Sequence, residues 1–132
     1  MKTLETILPT LHNLFIEQLP LYIEKINKEK NDGIILPPFQ NKTLFENCQK
    51  LPYYKLTFEE AEYTEKDRII ENTVFKLCFE IRIDKNTDEH LINFARYEEA
   101  VKTAIKEGAY DEVLEITKTN LKNCTIYIRF TL

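Results

Sequence analysis

From Val74 to Ile83 the side chains alternate between apolar and polar. Phe75, Leu77, Phe79, Ile81 and Ile83 fall on one side; Lys76, Glu80 and Arg82 fall on the other, with Cys78 among them. A period of two marks a strand with one buried face. Residues 53–63 repeat the pattern, with Tyr54, Leu56 and Phe58 set against Tyr53, Lys55 and Thr57. The charged segment TEKDR at 64–68 reads as a turn between the two, which predicts a long antiparallel hairpin. The second of these strands is expected at the centre of the sheet, its odd-numbered residues buried against helices.

Elsewhere the period is helical. Leu4, Ile7, Leu8, Leu11, Leu14, Phe15, Leu19, Tyr22, Ile23 and Ile26 form one apolar stripe, which predicts a helix from about residue 3 to residue 30. Pro20 lies inside it and either kinks it or splits it in two. Asn31-Asp32-Gly33 ends it, with Gly33 as cap or turn residue. The connector 34–52 contains Pro37-Pro38 and is expected to be irregular but docked through Leu44, Phe45 and Leu51, with one short helical turn near 43–49. A second helix starts after Thr87 or Asp88 as cap. It carries Leu91, Phe94, Ala95, Val101, Ala104 and Ile105 inward and stops at Gly108. Residues 113–118 and 124–132 read as two further strands. In the last one Ile126, Ile128, Phe130 and Leu132 face one way, and Thr125, Tyr127, Arg129 and Thr131 the other.

The order helix, strand, strand, helix, strand, strand predicts one α+β domain over residues 1–132. It has two layers: a largely antiparallel sheet, helices covering one face, and a long β-hairpin. Residues 1–31 form an N-terminal helical segment, 34–52 the connector, and 53–132 the sheet with the second helix. A strand running to Leu132 can lie at a sheet edge.

Composition adds exclusions. A length of 132 residues, 43% hydrophobic and 30% charged, is that of one ordinary globular domain. The net charge of −4, with basic residues interleaved among acidic ones, speaks against specific nucleic-acid binding. Cys48, Cys78 and Cys124 are odd in number and form no C-x-x-C pair, so at least one is free or all are reduced as in a cytosol, and the expected setting is cytoplasmic. Glu5 and Pro9 interrupt any leader-like apolar run, and no stretch approaches the ~20 apolar residues of a membrane span.

Candidate chemistry is sparse. His12 and His90 have no second His or Cys at a metal-ligand spacing and read as surface or helix-end residues. Two glycines cannot build a phosphate-cradling loop, and no G-x-S-x-G motif is present. The acidic run Glu59, Glu60, Glu62, Glu65, Asp67 and Glu71 is the best acid/base or metal candidate. By simple alternation Glu60 and Glu62 share the strand face of Phe58 near the hairpin end, where a solvated negative tip accounts for them. Cys78 has Lys76 and Arg82 nearby but no base. The reading is a non-enzyme, with no catalytic, cofactor-binding or metal residues. The outer sheet face is more informative: Tyr53, Lys55, Thr57, Lys76, Glu80, Arg82, Tyr127 and Arg129 combine aromatics, arginines and mixed charge, as protein interfaces do.

The long N-terminal helix, LPYYKLTFEEAEYTEKDRIIENTVFKLCFEIRI, the helix with NFARYEEAVKTAI and the two closing strands together resemble the tail-terminator and head–tail completion proteins of long-tailed phages. The resemblance spans most of the chain in element order and size. It implies a small α+β subunit with a projecting hairpin and no catalytic residues. It implies that copies close into a ring-like homo-oligomer, typically a hexamer, that caps the tail tube and meets the connector. The partners it implies are the chain itself and phage tail-tube and connector proteins, without membrane or cofactor. The setting is cytoplasmic, or virion-associated for a prophage product. Two other readings stand beside it: a bacterial protein-binding module, such as an immunity or adaptor protein, acting through the outer sheet face; and a small enzyme with a site at 59–71.

Overall fold

A computed structural model describes residues 4–132. The N-terminal helical path is α1 (Leu4–His12), a π-helical stretch (Asn13–Gln18) and α2 (Leu19–Lys30). Pro20 falls in the first turn of α2, where a missing N–H costs little. The helix reaches it through wider π turns, in which the Leu19 N–H bonds to the Leu14 carbonyl. The choice between a kink and a split thus resolves as a change of helical pitch ahead of the proline. Ile7, Leu11, Leu14, Phe15, Leu19, Ile23 and Ile26 form its buried stripe. Asn31, in the left-handed region at φ 41°, caps α2, and Gly33 at φ 88° turns the chain away.

Two asparagines secure the connector. The Asn27 side chain accepts from the Leu36 N–H at 2.8 Å and donates to the Leu36 carbonyl at 3.0 Å. Further on, Asn41 does the same for Tyr54, at 3.0 and 3.1 Å. Leu44 is buried and Phe45 docks its ring 5.7 Å from that of Phe58, although Phe45 and Leu51 both stay largely exposed. Residues 43–49 hold a simple turn rather than a helical one, and the Lys42 N–H is taken by the Glu46 carboxylate.

The sheet is open, four-stranded and antiparallel, in the order β1 (Tyr53–Lys66), β2 (Ile69–Arg82), β4 (Thr125–Thr131), β3 (Leu114–Asn120). The α+β fold and the central position of β2 agree with the sequence. The strand leading to Leu132 is not at an edge. Buried Ile126, Ile128 and Phe130 draw β4 into the middle, and the edges are β1 and β3. The turn between β1 and β2 is tighter than TEKDR suggests. It consists of Asp67 and Arg68, both at positive φ (54° and 67°), as a two-residue hairpin turn demands.

Helix α3 (His90–Glu107) begins without a side-chain cap from Thr87 or Asp88; the Thr87 carbonyl instead accepts from the His90 N–H at 3.3 Å. Its buried stripe is Phe94, Tyr97, Ala100, Val101, Ala104 and Ile105. Leu91 and Ala95, expected inside, are exposed, because they lie at the open end of the helix and off the axis set by Tyr97. Gly108 closes α3 where a Cβ would come within 2.5 Å of the Tyr110 ring, so no larger residue fits without moving it.

The core lies between helices and sheet. Phe79 stacks on Phe15 and on Tyr54, each at 4.7 Å between ring centroids, and Phe39 stacks on Tyr97 at 4.6 Å. The Tyr97 hydroxyl donates to the Pro37 carbonyl at 2.6 Å, which ties the connector to α3. Among the described residues no helix is long and apolar enough to cross a membrane.

Candidate interface site on the open sheet face

Helices cover one face of the sheet and leave the other bare. Pairing register decides what stands on the bare face. Tyr53 is opposite Arg82, Lys55 opposite Glu80, and Thr57 opposite Cys78. Cys78 is in turn opposite Tyr127, and Lys76 opposite Arg129. All eight candidate residues therefore share this face, across β1, β2 and β4.

Sequence reasoning placed two acidic residues on the wrong side. A β-bulge at Glu59 inserts an extra residue between Phe58↔Leu77 and Glu60↔Lys76. The alternation restarts one residue late, so Glu60 and Glu62 leave the face of Phe58 and join the outer one. There the Lys76 ammonium bridges both carboxylates at 2.7 Å. The hydrogen bonds that Lys76 donates to those carboxylates raise its pKa, and the same ammonium lowers that of Glu62. A second bulge, at Thr117, brings Lys118 beside Tyr127, its ammonium 4.5 Å from the ring centroid. Arg129 pairs with Glu115, and Arg82 with Glu80 at 3.2 Å. Glu60, Glu62, Glu115 and Lys118 thus complete the face; Glu115 follows from its alternation with Leu114 and Ile116, but the other three lie past a bulge that no periodicity shows.

Charges on this face are largely matched in pairs, and the surface is concave. A depression of about 410 Å³ is lined by Glu59, Glu60, Lys76, Lys118, Tyr127 and Arg129. A second, of about 310 Å³, lies where the connector meets β1 and is lined by Phe45, Glu46, Tyr53, Lys55 and Arg82. Cys78 lies half-buried between them. Its thiol pKa is raised by burial first and then by the carboxylates of Glu59 and Glu80, the opposite of what a thiolate nucleophile needs. Among the described residues no group of His, Cys, Asp or Glu is disposed to hold a metal ion. The acidic run is dispersed: Glu60 and Glu62 are tied to Lys76, while Glu65, Asp67 and Glu71 sit out on the hairpin.

The hairpin outreaches the sheet. β4 pairs with β2 from Val74 to Glu80, and Leu132 adds a reciprocal backbone pair with Thr73. Beyond that, residues 64–66 and 69–72 pair only with each other. Near this ribbon Tyr63 is 54% exposed and Ile69 68% exposed. No family model, curated protein or solved structure matches the chain.

Proposed function

We propose that the chain is a non-enzymatic assembly subunit that joins copies of itself through the projecting hairpin. The form of assembly we propose is the ring of the phage tail-terminator and head–tail completion proteins that the sequence resembles. The observation that carries the reading is the two-stranded ribbon beyond Thr73, with Ile69 uncovered on it and Tyr63 uncovered at its base. A bare two-stranded ribbon is marginal in water, and large apolar side chains on it are stabilised by a neighbour. Such a projection, meeting a different surface of the next copy, makes a head-to-tail contact that closes when the rotation allows. In this reading the ring also meets tail-tube and connector proteins, and the acidic balance of the chain keeps passing DNA from adhering. The protein is then cytoplasmic until it is built into a particle.

Molar mass by light scattering across a concentration series tests this. The expected result is a ring-sized mass that falls towards the monomer in a Tyr63→Ser, Ile69→Ser double variant. A chain that stays monomeric at high concentration, and that binds no tail or connector protein, overturns the reading. The concave, charge-paired outer face favours a second one, a module that binds a single protein partner. A strict monomer whose partner is lost on Arg82→Ala and Tyr127→Ala would establish it.

A further inference from the structure

Both edges of the sheet are open, and they differ in charge. On β1 the backbone groups of Tyr54 that turn away from β2 are the ones held by Asn41. By antiparallel alternation those of Leu56 and Phe58 also turn outward, and after the bulge those of Ala61 and Tyr63. Asn41 therefore closes the first edge position only. On β3 the neighbouring Val113 carbonyl accepts from the Thr131 N–H of β4 at 2.9 Å. Leu114 and Ile116 then present their backbone outward, and Thr119 does so past the bulge at Thr117. None of these outward groups is bonded to another described residue. The open part of β1 is about as long as β3, which has seven residues.

The charges along these edges differ. β1 carries Glu59, Glu60, Glu62 and Glu65 against Lys55 and Lys66, and one further ammonium, that of Lys76, is shared between two of the carboxylates. At the far end of β3 stand Lys118 and Lys122, with the Lys85 ammonium 3.4 Å from the Lys122 carbonyl, while Glu115 is already engaged by Arg129. Like charges directly opposite destabilise a strand pair. Two β1 edges would oppose carboxylates, whereas the end of β3 would bring the Lys118 and Lys122 ammonium groups to them. We propose that β3 of a second copy adds to the open edge of β1, so that one sheet continues from subunit to subunit. The inference rests on the assembly reading above and names its contact. Because β1 and β3 lie on opposite sides of the sheet, the contact is heterologous, and a run of such contacts closes into a ring when the rotation between copies allows it. The charge pattern also guards the edges against indiscriminate pairing.

Charge reversal tests the pairing. Glu59→Lys with Glu62→Lys makes both edges basic; Lys118→Glu with Lys122→Glu makes both acidic. Light scattering is expected to show each double variant needing on the order of tenfold more protein to assemble. Mixing the two variants is expected to restore assembly, since each then meets its complement in alternation. Ala61→Pro removes one outward N–H without breaking a bond to β2, and circular dichroism verifies that it folds. It is expected to lower the mass as well. An oligomer indifferent to the reversals and to Ala61→Pro overturns the edge pairing and leaves self-assembly standing. So does a mixture that fails to recover. A wild-type chain that is monomeric throughout overturns both.

Discussion

The Asn41 side chain stands in for a neighbouring strand at Tyr54. It accepts from the Tyr54 N–H at 3.0 Å and donates to the Tyr54 carbonyl at 3.1 Å, and both residues are buried. Asn41→Ala removes the partner of two buried backbone groups at once. The expected loss is about 1–3 kcal/mol, read as a lower midpoint in urea unfolding. Asn41→Asp keeps the acceptor, loses the donor and buries a charge, so at neutral pH it should be no better than Ala. A wild-type midpoint for either variant would mean that the amide only decorates the edge.

Arg96 holds Asp32 at the end of α2. Its guanidinium donates to both carboxylate oxygens, with Nη1 at 3.0 Å from Oδ1, and Nη1 also reaches the Ile34 carbonyl at 3.3 Å. The hydrogen bond to Arg96 is the main cause of an Asp32 pKa lowered from 3.8 to about 2. The unfolded chain therefore binds the proton more readily than the folded one. The stabilisation is fully present above the unfolded value of 3.8 and is lost as the pH falls towards about 2. The difference in urea midpoint between wild type and Asp32→Asn should be small at neutral pH, because the Asp32 carboxylate is exposed, and should vanish below about pH 2. A difference that persists there would assign the effect to packing.

Phe79 is the hub of the aromatic core, fully buried between the rings of Phe15 and Tyr54. Phe79→Ala leaves a cavity there and should cost about 3–5 kcal/mol. Phe79→Leu should cost less than half as much, since most of the volume is kept. Thermal unfolding of the two variants distinguishes a packed core from one that collapses around the gap.

At the hairpin tip Arg68 holds φ at 67°, a region that suits glycine. Arg68→Gly relieves the Cβ strain and should stabilise the hairpin by about 0.5–1 kcal/mol. Slower amide exchange at Ile69 and Lys66 would register it; faster exchange would show that the arginine side chain supplies something the glycine cannot.

Much of this architecture was legible along the chain, because burial imposes a period. The alternation from Phe75 to Ile83 marked the central strand and the outer face, and the helical stripe from Ile7 to Ile26 marked the first helix. What stayed hidden depended on single residues with no period. The bulge at Glu59 moved Glu60 and Glu62 to the other face, and nothing in FEEAEY announces which residue is the extra one. Asn41 looks like any loop asparagine until Tyr54 is folded against it. Leu91 has the right spacing for the stripe of α3 but lies beyond the part of the helix that the sheet and α2 cover, whereas Tyr97 is drawn in because its hydroxyl finds the Pro37 carbonyl. The position of β4 was settled by pairing partners far apart in sequence, which alternation within one strand does not encode.

The bulge at Glu59 also sets where β1 can change length. On either side of it the ladder runs in step, Phe58 with Leu77 and Glu60 with Lys76, so removing Glu59 alone would join two segments that are already in phase. Removing a single residue between Tyr54 and Phe58 instead would invert the side chains between the cut and the bulge, even with the bulge given up to absorb it. Position 59 is thus the natural point of indel tolerance in this strand, and a shortened chain lacking it should keep the same set of inward and outward residues with a straighter, less twisted hairpin.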